Sequence, residues 1–193
     1  MDANKFIEWE ELITDSTTDF LSNNAEKFDF WHNLLSIKGN YGGYKQFKNE
    51  KWLQSELAFY FSQQFAAKLG KQSWAIIPET RTKGIDYDLF IITDRQNVPP
   101  KGPISRIWPY GFGIHLKNWW NSYYKITEFD YLLPDVEKAK KNTATPCIGI
   151  NLVKKVISDA WRGKINEDNK IKTLKNDFIK EDSYLLIWSF RGN

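Results

Sequence analysis

One cysteine, one methionine and two histidines among 193 residues leave this chain with few of the side chains that most often carry chemistry. The lone thiol, Cys147, cannot close an internal disulfide, which fits a reducing compartment, and no Cys-x-x-Cys pair is present to hold zinc or cycle between redox states. No stretch approaches the ~18 consecutive apolar residues that span a bilayer. The N-terminal "MDANKFIEWEELITDS" has acids among its apolar residues, where a signal peptide would need a continuous apolar run. Walker loops, dinucleotide fingerprints and G-x-S-x-G elbows are missing as well. These absences predict a cytoplasmic protein with no membrane partner.

Charge of one sign is also scarce. The 27 basic residues against 24 acidic give a net charge of +3, too mild to name nucleic acid as the partner yet no obstacle to a polyanion. Aromatic rings are plentiful, at 16% with 9 Trp. Most should be core, and a minority could stack on bases or fill a partner interface. With 41% hydrophobic and 26% charged residues, the composition is that of a globular domain large enough for a substantial core.

Apolar spacing predicts two or three short helices in the first forty residues, from Phe6, Trp9, Leu12 and Ile13 and again from Phe28, Trp31, Leu34 and Leu35. His32 falls on the second group and reads as structural. Gly39, Asn40, Gly42 and Gly43 mark a loop. From Asn49 to Leu69 a longer helix carries Leu53, Leu57, Phe61 and Phe65 on one stripe, and Gly70 is placed to cap it. The period then becomes extended, predicting strands over 73–79, 85–93, 111–120, 145–153 and 183–190. "ITEFDYLLPDVEKAKK" reads as a helix with Pro134 near its start, and the charged stretch from Trp161 to Asp182 as a solvated helix or loop. This order implies an α/β (α+β) fold with a central mixed sheet flanked by helices. Residues 1–48 would form an N-terminal helical extension packed on a core domain of residues 49–193.

Five polar side chains interrupt apolar patterns. Glu56 lies in "WLQSELAFYF" on the long helix, and Asp86 and Asp88 lie two apart in "IDYDLFII" on one face of that strand. His115 and Lys117 in "GFGIHLKNWW" share a face of theirs, roughly 7 Å apart in a regular strand. Inward polar groups are costly unless they have partners or work. If the two strands pair, Asp88 meets His115 and Lys117. Carboxylates that hold a divalent cation and a lysine that steadies the attacking water are what phosphodiester hydrolysis uses.

These stretches, with the following "DYLLPDVEKAKK" and "CIGINLV", resemble the PD-(D/E)XK nuclease superfamily over roughly residues 50–153. The resemblance implies a restriction-endonuclease-like fold and metal-dependent cleavage of DNA, or less often RNA, in restriction, defence or repair. It makes Glu56 the helical carboxylate, Asp88 the metal-binding aspartate and Lys117 the catalytic lysine. The pattern departs at His115, where the superfamily carries an acid. A histidine ligates Mn²⁺ better than Mg²⁺, so manganese is favoured if His115 is a ligand, with Asp86 able to restore the missing charge. The metal set would then be Glu56, Asp86, Asp88 and His115.

Other readings stay open. Glu56 could be an exposed residue paired with a lysine such as Lys51, Asp88 an edge or turn residue, Lys117 the solvent end of a strand, and His115 a packed histidine bonded to a neighbour. The whole chain could be a catalytically inactive pseudonuclease that binds DNA or protein in a defence complex or as an immunity-type partner. A third reading is an α/β interaction domain whose motif match is accidental. Arg95, Lys101 and Arg106, with Trp108, form a basic and aromatic loop that could touch phosphates, although an ordinary solvated loop explains them too. The resemblance makes Lys138 and Lys141 further phosphate candidates, within a mixed charge run that includes Asp135 and otherwise reads as a solvated helix face. "NWWNSYY" could wall a cleft. DNA is the expected partner, with a homodimer or a larger protein complex open.

Overall fold

The computed structural model describes residues 3–27, 49–71, 73–82, 85–98, 108–118, 132–141, 145–165, 170–180 and 183–191. Among them, helices α1 (Ala3–Asn23) and α2 (Asn49–Leu69) precede strands β1 (Ala75–Thr82), β2 (Ile85–Ile92) and β3 (Gly111–Asn118). Helix α3 (Leu133–Lys141), β4 (Cys147–Lys154), α4 (Lys155–Ile165), β5 (Ile171–Lys180) and β6 (Ser183–Phe190) follow. The strands make one mixed sheet in the order β1-β2-β3-β4-β6-β5, an α+β arrangement in which only β3 and β4 run parallel. That parallel pair requires a crossover, and α3 lies on it.

Side-chain alternation divides the core in two. Phe112, Ile114 and Leu116 of β3 face Leu53, Leu57, Phe61 and Phe65 of α2 together with Phe6, Trp9 and Ile13 of α1. The opposite face buries Cys147, Leu186, Trp188 and Phe190 against Val136 and Ala139 of α3 and Ile157 and Trp161 of α4. Helix α1 is thus a wall of the first core layer. It is longer than the short helix that Phe6, Trp9, Leu12 and Ile13 suggested; the second expected group, with His32, lies outside the described residues. The stretch read as a solvated helix or loop contains the end of α4 and all of β5. Strand β5 escapes the alternation test because it is an edge strand with charges along it, and its pairing with β6 forms it.

The second face is packed tightly over two glycines. A Cβ at Gly149 would lie 2.1 Å from the Trp188 ring, and one at Gly113 would lie 2.1 Å from the ring of Tyr87. Gly149→Ala should therefore cost about 1–3 kcal/mol through overpacking. A urea midpoint equal to that of the wild type would show that Trp188 does not sit where described. Among the described residues, no helix is long and apolar enough to cross a membrane.

Candidate functional site

Strands β2 and β3 are in register from Ile92↔Gly111 to Leu89↔Ile114. At Asp88 the alternation of β2 slips: Ile85 and Tyr87 belong to one core layer, and Leu89 belongs to the other. Directly across on β1, Glu79 adopts φ +50, and the Glu79–Asp88 pair is missing from an otherwise continuous register. A left-handed residue that is not glycine is a strained position, and here it accompanies the slip. The slip turns the Asp88 carboxylate toward β3, where the Leu116 N–H donates to its Oδ2 at 2.8 Å. Leu116 is the residue between His115 and Lys117, so Asp88 sits beside the predicted lysine.

The same slip separates the two aspartates expected on one face. Asp86 lies exposed on the strand's outer end, 3.4 Å from Arg81. Glu56 is also elsewhere. Positions two apart on a helix point roughly 200° apart, and it is Gln54, buried, that donates through Nε2 to the Asp88 carbonyl. Glu56 pairs instead with Lys27 at 3.2 Å. Lys51, the neighbour that the sequence offers Glu56 as a partner, bonds Gln54 and Glu79.

His115 and Lys117 do share a face, the one covered by α3. His115 is 3% exposed and its ring lies 4.9 Å from that of Tyr87. Burial pushes its imidazole down to about 4, against the pull of Asp135. It is neutral at physiological pH, and its Nε2 has no hydrogen-bond partner among the described residues. Lys117 reaches Asp135 Oδ2 at 3.6 Å, while Lys138 stands 3.7 Å from Oδ1 of the same carboxylate. Asp135, read in the sequence as part of a solvated face, is 5% exposed. The signal for it is its place in the first turn of α3, one residue before the core position Val136.

Asp88 is short of positive charge. Burial pushes its carboxyl above the usual range; the Leu116 N–H and the Lys117 ammonium pull it back, and Asp135 adds to the rise. Cys147 is fully buried on β4 and burial pushes its thiol up, so it is an inert core residue.

The residues expected to touch nucleic acid are spread out. Arg95 is exposed in a short 3-10 turn (Arg95–Asn97), and Lys138 and Lys141 are exposed on α3. Lys101, Arg106 and residues 119–124 of the aromatic stretch lie outside the described residues, as does the side chain of Trp108. Of the residues that the sequence suggested for a catalytic or metal site, then, Asp88 and Lys117 are brought together with His115 alongside, Asp135 joins them, and Glu56 and Asp86 do not. Against known proteins, the chain matches no family model, no curated protein and no solved structure.

Proposed function

We propose that this chain is a PD-(D/E)XK-type nuclease with a restriction-endonuclease-like core, hydrolysing DNA phosphodiester bonds at Asp88 and Lys117 with a divalent cation. The observation that carries this reading is the bond from the Leu116 N–H to Asp88, which fixes a carboxylate beside the lysine where two strands part. The path of the chain supports it: an antiparallel β2–β3 pair, then a parallel β3–β4 pair with α3 between them.

Among the described residues, no three His, Cys, Asp or Glu side chains are arranged to hold a metal ion. That does not suit an ion needing a full protein cage. Mg²⁺ makes a smaller demand, one or two carboxylates with water and phosphate oxygens completing its shell. The partly buried Asp88, whose carboxyl burial pushes above the usual range, fits that demand and would hold the ion. When bound, such an ion polarises the phosphate and lowers the pKa of a bound water. Lys117 would contribute a fixed positive charge to the phosphate oxygens as negative charge grows on them. His115, buried against Tyr87, supports the slipped strand pair, which removes the reason to favour manganese.

The test is nicking of supercoiled plasmid by the whole chain in Mg²⁺, in Mn²⁺ and in EDTA, with Asp88→Asn alongside. Cleavage at least as fast in Mg²⁺ as in Mn²⁺, abolished by EDTA and by Asp88→Asn, is the expected result. One observation favours a second reading, a pseudonuclease that only binds: a neutral histidine stands where the motif has an acid. Stable DNA binding with no nicking in either metal would establish that reading and sink the first.

A further inference from the structure

We propose that Asp135 is a positioning residue of this site, anchoring the Lys117 ammonium beside Asp88. The proposal rests on the reading of Lys117 as the charge that meets phosphate, and it adds a residue which the motif does not contain.

Asp135 lies in the first turn of α3, where unpaired backbone N–H groups favour a carboxylate. Burying that carboxylate is costly unless cations compensate it. Two do so, one per oxygen: Lys138 from the same helix faces Oδ1, and Lys117 from β3 faces Oδ2. The two lysines differ in freedom. Lys138 has a half-exposed side chain, whereas that of Lys117 is 23% exposed. Oδ2 has no hydrogen bond among the described residues, so its compensation comes from the Lys117 charge. Among the described residues, the charged or titratable groups around Lys117 include Asp88 on β2, His115 on its own strand, and Asp135 and Lys138 on α3. Of these, the two aspartates attract the ammonium. Asp88 is the one that a bound cation would occupy, which leaves Asp135 to hold Lys117 during turnover.

The test follows the Lys117 ammonium in the full-length chain at one fixed pH by its ¹⁵Nζ resonance, assigned with Lys117→Arg. In the wild type its protons should exchange with water more slowly than those of exposed Lys155. Asp135→Asn should raise the exchange to the Lys155 rate, and Asp135→Glu should recover most of the protection. Exchange unchanged in a folded Asp135→Asn overturns the proposal. If Asp135→Asn does not fold, the wild type decides, and exchange equal to that of Lys155 overturns the proposal. These readouts need no cleavage. Slow, Asp135-dependent exchange in a chain that never nicks DNA would therefore retain the ion pair and reject the nuclease reading. If the chain does nick DNA, Asp135→Asn should lower kcat with the DNA-binding constant unchanged.

Discussion

If the chain is the nuclease proposed above, Lys117→Ala should slow plasmid nicking by about 10²–10³-fold, the usual cost of deleting a group aimed at charge that develops in a transition state. The expectation is large because of where the amine is held. Its side chain leaves β3 on the face under α3, its Nζ stands 3.6 Å from Asp135, and Asp88 lies on the backbone next to it. Water cannot reproduce a charge fixed between two carboxylates, since reorienting solvent in this half-buried setting costs what the protein has already invested in folding. Binding should change far less. Deleting one of many phosphate-neutralising charges reduces affinity about equally for all sequences and lowers the salt dependence by about one counterion. Single-turnover nicking together with a salt titration of DNA affinity separates these effects. Wild-type nicking by Lys117→Ala would move the reaction centre away from β3, and a parallel loss of affinity and rate would make Lys117 a binding residue only.

How far the sequence disclosed this arrangement depended on whether local pattern or tertiary context decided each element. The α2 stripe, the alternation in β3 and the apolar runs of β2, β4 and β6 were legible because burial imposes those patterns directly. The full length of α1 was not, since the apolar group that marks it, Phe6 to Ile13, ends well before the helix does at Asn23. In the structure Thr14, Thr17 and Thr18 each donate to the carbonyl four residues earlier, at 2.7–2.8 Å, so the hydroxyls are satisfied inside the helix and interrupt nothing. Of the site, the Asp88–Lys117 neighbourhood followed from strand pairing. The departure of Asp86 did not, because it depends on a slip whose signature is one backbone angle at Glu79, a residue on another strand. Asp135 was hidden for a different reason. Among Glu137, Lys138, Lys140 and Lys141 it looked like one more solvated charge, and only the packing of Val136 and Ala139 turns it inward.

Glu10→Ala should destabilise the fold by about 3 kcal/mol at neutral pH. Glu10 is 1% exposed, where α1 crosses the β5–β6 end of the sheet. Four donors converge on its carboxylate. The Ser189 hydroxyl donates to Oε1 at 2.6 Å, Arg191 donates from Nε at 3.2 Å and from Nη2 at 2.8 Å, and Lys172 donates to Oε2 at 3.2 Å. Removing the acid strands the buried Ser189 hydroxyl, while Arg191 and Lys172 are exposed enough to turn toward water. That relief puts the figure at the low end of the range for a broken buried pair. Burial pushes the Glu10 carboxyl up, but Arg191, Ser189 and Lys172 more than offset this, so it is held below its ordinary range. A carboxylate with a depressed pKa in the folded state stabilises fully above its unfolded value, and that contribution disappears as pH falls through the folded one. The gap in urea stability between wild type and Glu10→Ala should accordingly be widest near pH 7, begin to close below the ordinary glutamate range, and be smallest in acid. Glu10→Gln, which keeps the packing and one acceptor, should lie between the two at neutral pH and approach the wild type at low pH. A gap that stays the same from pH 7 into acid would mean that shape, not charge, ties α1 to the sheet.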